Sequence, residues 1–436
     1  MPRREFPVDR PADRSAKPRR LIGGLRRFLA ALGPGVITGA ADDDPSGIAT
    51  YSMAGALLGT SMLWTALLTF PLMAAVQMMC ARIGMVRGQG LGSALKKKLP
   101  RPLLVAVTVA LLVANTINIA ADLAGMADAA EMLSGLNSHV YVVLFGIAIA
   151  VATVKLQYRQ IASVLKWLTL VLFAYVITAI HIGPDWLDVL RQTLVPKWPQ
   201  GKEAWGILVA ILGTTISPYL FFWQASQEVE EEKAKGQRTL RSRRGATSSE
   251  ILDRKLDVGV GMFFSNLVMF FIILTTALTL HKHGLTKIET SREAAEALRP
   301  LAGRFAAMLF TVGIIGVGFL AIPTLAGSAA YAFAETFGWR QGLDRKLATA
   351  RRFYFIVVVS TVAGIALDFL GVGAVKALYW SAVINGLLAP FLLVAILLAA
   401  SDRVLMGGQP SSRLAIITVS ITTLLMAGAA VGMFVF

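Results

Sequence analysis

Apolar residues run in continuous stretches along most of this chain, without the alternation of a half-buried strand. Runs at 102–114, 140–154, 262–280 and 414–436 each approach the roughly 20 residues needed to span about 30 Å of hydrocarbon, once flanks are included. The pattern predicts an all-α polytopic membrane protein and excludes a barrel, whose strands would alternate. About eleven spans follow. Their limits are 30–57, 62–83, 101–126, 138–155, 162–182, 205–229, 257–280, 303–334, 349–370, 377–400 and 412–435. Two spans are interrupted. The first carries Asp-Asp-Asp-Pro-Ser-Gly at 42–47, and the sixth carries Gly-Thr-Thr-Ile-Ser-Pro-Tyr at 213–219.

The two interruptions lie five spans apart. Five is odd, so a second five-helix unit would enter the membrane upside-down relative to the first. Discontinuous helices in matching positions of two inverted halves point to a binding site at the membrane midplane. The expected organisation is a repeat over 30–182, an inverted repeat over 205–400 and an eleventh helix at 412–436 outside the repeat.

Composition supports this class. The chain is 56% hydrophobic and 16% charged, against about 25% charged residues in a soluble domain. The net charge of +16 does not indicate nucleic acid. Its surplus Lys and Arg fall in alternate loops, at 82–101, 155–166, 233–255, 340–352 and 403–413. That is the positive-inside bias of a cell (inner) membrane protein, with attraction to anionic lipid. It puts the N-terminus in the cytoplasm and the C-terminus outside. Residues 1–29 are expected to form a disordered basic cytoplasmic tail, and 230–255 a charged cytoplasmic loop. The acids Glu228, Glu230, Glu231 and Glu232 read by default as a solvated face. A single cysteine, Cys80, rules out an internal disulfide framework.

The interruptions suit a cation. A charged side chain near the bilayer centre costs roughly 2.5–3.5 kcal/mol on insertion scales, so Asp42, Asp43 and Asp44 need a purpose there. Pro45 and Pro218 each remove a backbone donor and free a carbonyl. Ser46, Thr214, Thr215 and Ser217 add neutral hard oxygens. Such a set favours Mg²⁺, Ca²⁺ or Mn²⁺ over soft metals. Adjacent helical residues point in different directions, so Asp44 is expected to bind while Asp42 and Asp43 line the access path. Asn115, Asn118, Asn266 and Asn385 lie in apolar spans and read as interhelical hydrogen-bonding residues.

Several motifs resemble the Nramp family of divalent-metal transporters. They are Gly-Pro-Gly at 33–35, Asp44-Pro45, Asp122-Leu123-Ala124, Pro218 after Gly-Thr-Thr, the run at 323–333 and the pair Arg351-Arg352. The resemblance covers roughly 30–400. It implies a LeuT-like fold of two inverted five-helix repeats, with metal import by alternating access. It implies no cofactor and no enzymatic activity.

The departures are informative. The family's first-helix motif is Asp-Pro-Gly-Asn, and its metal-binding Asn falls on Gly47 here. The sixth-helix motif is Ala-x-x-Met-Pro-His, with its Met on Ser217 and its His on Tyr219. A second His falls on Gln224, and a Glu of the third helix on Gly125. The resemblance therefore implies a metal site of Asp44, Gly47, Thr214 and Ser217. Asp42, Asp43, Ser46, Thr215, Tyr219 and Gln224 surround it. Asp122 with Arg351 and Arg352 would form a structural ion pair or proton path. A roomier oxygen site suits partly hydrated Mg²⁺, and loss of the thioether weakens preference for Mn²⁺ and Fe²⁺. The pattern resembles the Nramp-related magnesium transporter branch. Loss of titrating groups points to weak or absent proton coupling. The alternatives are a proton-coupled Mn²⁺/Fe²⁺ importer and a sodium-coupled amino-acid transporter of the same fold. A membrane-embedded enzyme is disfavoured, since no His-Glu-x-x-His pattern occurs among four histidines.

Overall fold

The computed structural model describes residues 33–156 and 168–436. The expected tail at 1–29, the opening of the first span, the 155–166 loop after residue 156 and the start of the fifth span lie outside the described residues. Among the described residues the architecture is all-helical. The first repeat contains α1 (Pro34–Asp42), α2 (Pro45–Leu58), α3 (Trp64–Arg87), α4 (Arg101–Ser134), α5 (Ser138–Lys155) and α6 (Phe173–Ile182). A short helix, α7 (Trp186–Leu194), leads to the second. The second contains α8 (Gly201–Thr215), α9 (Pro218–Ala234), α10 (Ser248–Thr279), α11 (Ala306–Phe337), α12 (Arg351–Asp368) and α13 (Ala374–Ser401). The last helix is α14 (Arg413–Val435).

Eight helical stretches among the described residues are long and apolar enough to cross a membrane. The broken first span, the partly described fifth and α12 fall outside these eight; α12 carries Arg351, Arg352 and Asp368 within 18 residues. Packing follows the inverted repeat. The first span packs on α10, and its counterpart α9 packs on α3. Helix α4 packs on α13, while α11 packs on the turn before α6. Helices α4 and α11 pack on each other, as do α5 and α12. Each of these contacts maps onto another, or onto itself, when the two halves are exchanged. The outer helices α5 and α14 leave residues such as Leu144, Ile147, Leu424 and Phe434 exposed, as lipid-facing surfaces require.

Two boundaries differ from the span limits. Helix α9 runs past its span limit through Ala234, as the acidic start of the loop leads one to expect, and α10 starts at Ser248, nine residues before its expected span. The start is set by a capping box: Thr247 Oγ1 accepts from Glu250 N, and Glu250 Oε2 accepts from Thr247 N. Thr-x-x-Glu is a sequence signature of a helix start, and the charge run around it masked it.

Glycines set how closely α1 approaches α10. A Cβ at Gly39 would lie 2.3 Å from the Gly261 carbonyl oxygen, and one at Gly261 would lie 2.2 Å from that of Gly35. Backbones therefore touch directly, as small residues permit in membrane helix pairs.

Candidate functional site

Both breaks have the same local origin. Asp43 and Asp44 separate α1 from α2, and Ile216 and Ser217 separate α8 from α9. In each, a proline occupies the first position of the following helix. Proline disfavours helical geometry in the residue before it and is preorganised to begin a new helix. Asp44 (φ −69°, ψ 169°) and Ser217 (φ −79°, ψ 130°) are accordingly extended.

The missing proline donors orphan the carbonyls of Ala41 and Thr214, four residues earlier. Both are reclaimed. Tyr219 Oη donates to Ala41 O at 2.8 Å, and Ser217 Oγ donates to Thr214 O at 2.6 Å. Each carbonyl keeps a second lone pair, and the single Ser217 proton also has Gly213 O within reach at 2.8 Å. Thr215 Oγ1 donates to Ile211 O at 2.9 Å, and Thr214 Oγ1 lies 3.0 Å from Ile211 O and 3.1 Å from Tyr51 Oη. Each hydroxyl has one proton, shared by Thr214 between Tyr51 Oη and Ile211 O, and keeps oxygen lone pairs, the chemistry a hard cation needs.

Asp44 is the N-cap of α2. Its Oδ1 accepts from Gly47 N at 2.7 Å. Its Oδ2 accepts from Asn118 Nδ2 on α4 at 3.0 Å, and the same amide lies 3.3 Å from Asp122 Oδ2. Asn385 Nδ2 on α13 reaches Asn118 Oδ1 at 3.4 Å. Asn118 and Asn385 make the interhelical hydrogen bonds expected of them, and Asn118 thereby orients both acids. Ser46 points the other way, to Leu378 O at 3.2 Å and Ser381 Oγ at 3.1 Å. A Cβ at Gly47 would lie 3.5 Å from Asp44 Oδ1 and from Asp42 O, and 3.3 Å from the Tyr51 ring. A side chain there would project at the carboxylate, so glycine enlarges this space.

Asp42, Asp43, Asp44 and Asp122 are 1%, 4%, 3% and 0% exposed. Asp42 and Asp43 line no open path in this conformation; both face Ser265 Oγ on α10, at 2.7 and 3.2 Å. No ion pair among the described residues reaches any of the four. The expected pairing of Asp122 with Arg351 and Arg352 is not formed. Gly364 of α12 packs against Ile119 and Ala120, near the level of Asp122. Arg351, at the start of that helix, lies about 20 Å away along it at 1.5 Å per residue. Both arginines are exposed, and Arg352 sits 5.7 Å over the Trp339 ring.

The basic end of the bundle is closed by a buried network. Asp257 on α10 accepts from Gly33 N and Gly35 N at 2.7 Å and from Val36 N at 3.2 Å, capping α1. Arg254 pairs with Asp257, with Glu231, and with Glu228 at 2.8 Å. Gln224 donates to Glu228 Oε1 at 2.7 Å and accepts from Thr38 Oγ1 at 2.6 Å. Gln224 thus belongs to this closure and not to the site around Asp44. Glu228 and Glu230 are both buried, so the solvated-face reading of these acids fails for them. An arginine fork among three carboxylates also satisfies the exposed amides of α1 through Asp257. Sequence reasoning missed Arg254, Asp257 and Ser265; only the polarity of 254, 257 and 265 at helical spacing pointed to them.

Comparisons with known proteins agree with this geometry. A family model described as "Natural resistance-associated macrophage protein-like" (Nramp) matches residues 35–436. Among relatives, the divalent metal cation transporter MntH of Yersinia pestis (strain Pestoides F) is 28% identical over 411 residues, 91% of each chain. MntH of Caldanaerobacter subterraneus subsp. tengcongensis is 27% identical over 395 residues, 87% of this chain and 86% of the relative. The crystal structure of a manganese transporter from Eremococcus coleocola, in complex with an aromatic bis-isothiourea substituted compound, superposes with a TM-score of 0.72. It is 19% identical and covers 97% of this chain and 90% of that one. Mhp1, a nucleobase-cation-symport-1 family transporter in a closed conformation, superposes with a TM-score of 0.55 at 15% identity, covering 92% of each chain. These structures share the LeuT-like fold.

Proposed function

We propose, for a chain that belongs to the Nramp family, that it moves divalent metal cations across the cell membrane as a secondary transporter working by alternating access. The observation that carries this reading is Asp44, a buried carboxylate held between two helix breaks with hydroxyl oxygens on the facing helix. The names of its relatives, divalent metal cation transporters and a manganese transporter, point to the same cargo class.

The finer reading is that Mg²⁺ is a principal cargo beside Mn²⁺. Asp44, Thr214 and Ser217 supply only hard oxygens, and Gly47 supplies space. Mg²⁺ dehydrates reluctantly and keeps waters, which a roomy oxygen site accommodates. No thioether is left to favour softer ions. Proton coupling is weak or absent, because Tyr219, Gln224 and Gly125 stand where the family carries titrating groups. The charge alternation of the loops supports a cytoplasmic N-terminus and an outer C-terminus. The Arg254 network then closes the cytoplasmic side, and its opening would release the ion inward.

Uptake of Mg²⁺ and Mn²⁺ into liposomes, with Asp44→Ala alongside and a pH-sensitive dye inside, tests all of this. Uptake of both ions, lost in Asp44→Ala, is expected without acidification. Normal transport by that variant would refute the site. Mn²⁺ uptake untouched by a large Mg²⁺ excess would refute the cargo preference. Proton influx tracking Mn²⁺ would restore the proton-coupled alternative.

A further inference from the structure

We propose that the exposed face of α12 docks one anionic phospholipid, its headgroup held by Arg351 and Arg352 and an acyl chain laid along the apolar stripe that follows them. The inference rests on the chain's place in the membrane and not on which ion it carries.

The fold leaves these two arginines without the carboxylate that motif order offered them. Both are exposed, and no acid among the described residues lies in ion-pair range of either. Glu335, the buried acid near the end of α11, is already engaged: it accepts from Gln341 Nε2 at 2.8 Å and from Ser93 N at 3.1 Å. Position in the helix adds to the imbalance. Arg351 and Arg352 open the first turn of α12, where the dipole is positive and cations are disfavoured, and Ala350 supplies no capping side chain. Two adjacent guanidiniums so placed are complementary to a phosphate, which their planar donors grip in a bidentate way.

The surroundings are those of a membrane interface. The Arg352 guanidinium lies 5.7 Å over the Trp339 ring, which stacks on Phe337 at 5.4 Å. Trp is enriched at headgroup depth, with its ring half in the apolar layer. The inward side of this turn is fixed by packing. Phe353 meets the Tyr331 ring at 4.9 Å, and Tyr354 Oη donates to Arg345 O at 2.8 Å. The arginines are left on the other side, at the head of a stripe. Phe355, Val359 and Val362 follow Arg351 at steps of four, four and three, one helix face. All three are exposed, Phe355 by 63%. Eleven positions separate Arg351 from Val362, about 16 Å at 1.5 Å per residue. That is close to half of the roughly 30 Å hydrocarbon core, or one leaflet. A charged head over one leaflet of apolar surface is the outline of a phospholipid. A soluble anion leaves the stripe unused, and a zwitterionic headgroup brings its own cation.

The test is native mass spectrometry of the full chain, released from nanodiscs of equal parts phosphatidylglycerol and phosphatidylcholine. The wild type is expected to retain one phosphatidylglycerol per chain, with a preference of about tenfold or more, the scale two basic side chains supply near a membrane surface. Arg351→Gln/Arg352→Gln is expected to lose that preference. Arg238→Gln/Arg241→Gln, which removes the same charge from exposed positions between α9 and α10, is expected to keep it. Monodispersity and thermal unfolding are checked for every variant. If the Arg351→Gln/Arg352→Gln variant does not fold, Arg351→Gln takes its place and is expected to lower the preference several-fold. Equal retention of the two lipids by the wild type would overturn the proposal. So would equal loss in both double variants, the mark of a general charge effect, or an undiminished preference in the Arg351→Gln/Arg352→Gln variant. Release of the retained lipid by excess inorganic phosphate would reassign the arginines to a soluble anion and overturn it too.

Discussion

The hydroxyl of Tyr219 donates to the carbonyl of Ala41 across 2.8 Å, so the sixth span closes the backbone gap that Pro45 opens in the first. The first break thus depends on the second, whereas the second satisfies its own orphaned carbonyl through Ser217. Removing the donor leaves a buried acceptor unsatisfied, at a cost of about 1–3 kcal/mol. Tyr219→Phe is therefore expected to lower the thermal unfolding midpoint while leaving Mn²⁺ affinity within a few-fold of wild type. An unchanged midpoint would show that the bond contributes nothing.

On the proposed reading, Gly47 sets the size and donor set of the site. A Cβ there fits 3.5 Å from Asp44 Oδ1, with the Tyr51 ring yielding a few tenths of an ångström from 3.3 Å. Gly47→Asn adds an amide oxygen, and Gly47→Asn/Ser217→Met adds a thioether as well. The double variant is expected to favour Mn²⁺ over Mg²⁺ by about tenfold more than wild type, or ~1.4 kcal/mol. Competition of Mg²⁺ against Mn²⁺ uptake measures this. Unaltered competition would remove Gly47 and Ser217 from the site.

Arg254 holds α1, α9 and α10 together at the basic end. Breaking a buried ion pair from one side costs roughly 3–5 kcal/mol, because the partner charges stay behind. Arg254→Gln should release the N-terminus of α1 and shift the chain toward a state open at that end. A Thr38→Cys reporter, buried in the closed state, is expected to label with a membrane-permeant thiol reagent markedly faster in the Arg254→Gln background. Arg254→Lys should rescue little, since an ammonium lacks the planar fork that reaches several carboxylates. Equal labelling rates in all backgrounds would show that the network is no latch.

Gly39 and Gly261 let α1 lie against α10 backbone to backbone. A methyl group at Gly39 would collide with the Gly261 carbonyl, and overpacking of this kind costs about 1–3 kcal/mol. Gly39→Ala is expected to reduce both folding yield and uptake. The exposed Gly428→Ala on α14, where a Cβ meets nothing within 4 Å, serves as the control and should change neither.

Much of this molecule was legible in the sequence. Spans are visible because lipid demands continuous apolar runs and internally satisfied backbone, a constraint local enough to read residue by residue. Both breaks were visible for the same reason: Pro45, Pro218 and three adjacent acids violate that constraint. The burial of Asp44 at the first break followed from the length of the apolar run around it. The ion pair of Asp122 with Arg351 and Arg352 did not, because motif order along the chain carries no information about the level at which two helices cross.

The sequence by itself determined the class, the inverted repeat and the two interruptions, since each depends on local hydropathy and proline chemistry. Tertiary structure alone decided who satisfies whom. Tyr219 was assigned to a family histidine's place, yet its hydroxyl serves Ala41. Gln224 was assigned to the site, yet it joins the closure with Thr38 and Glu228. Ser265, Arg254 and Asp257 came into view only when α10 packed around the breaks. Hydrogen bonds and ion pairs act over about 3 Å in space, and residues more than 200 positions apart, such as Asp42 and Ser265, meet only through the fold.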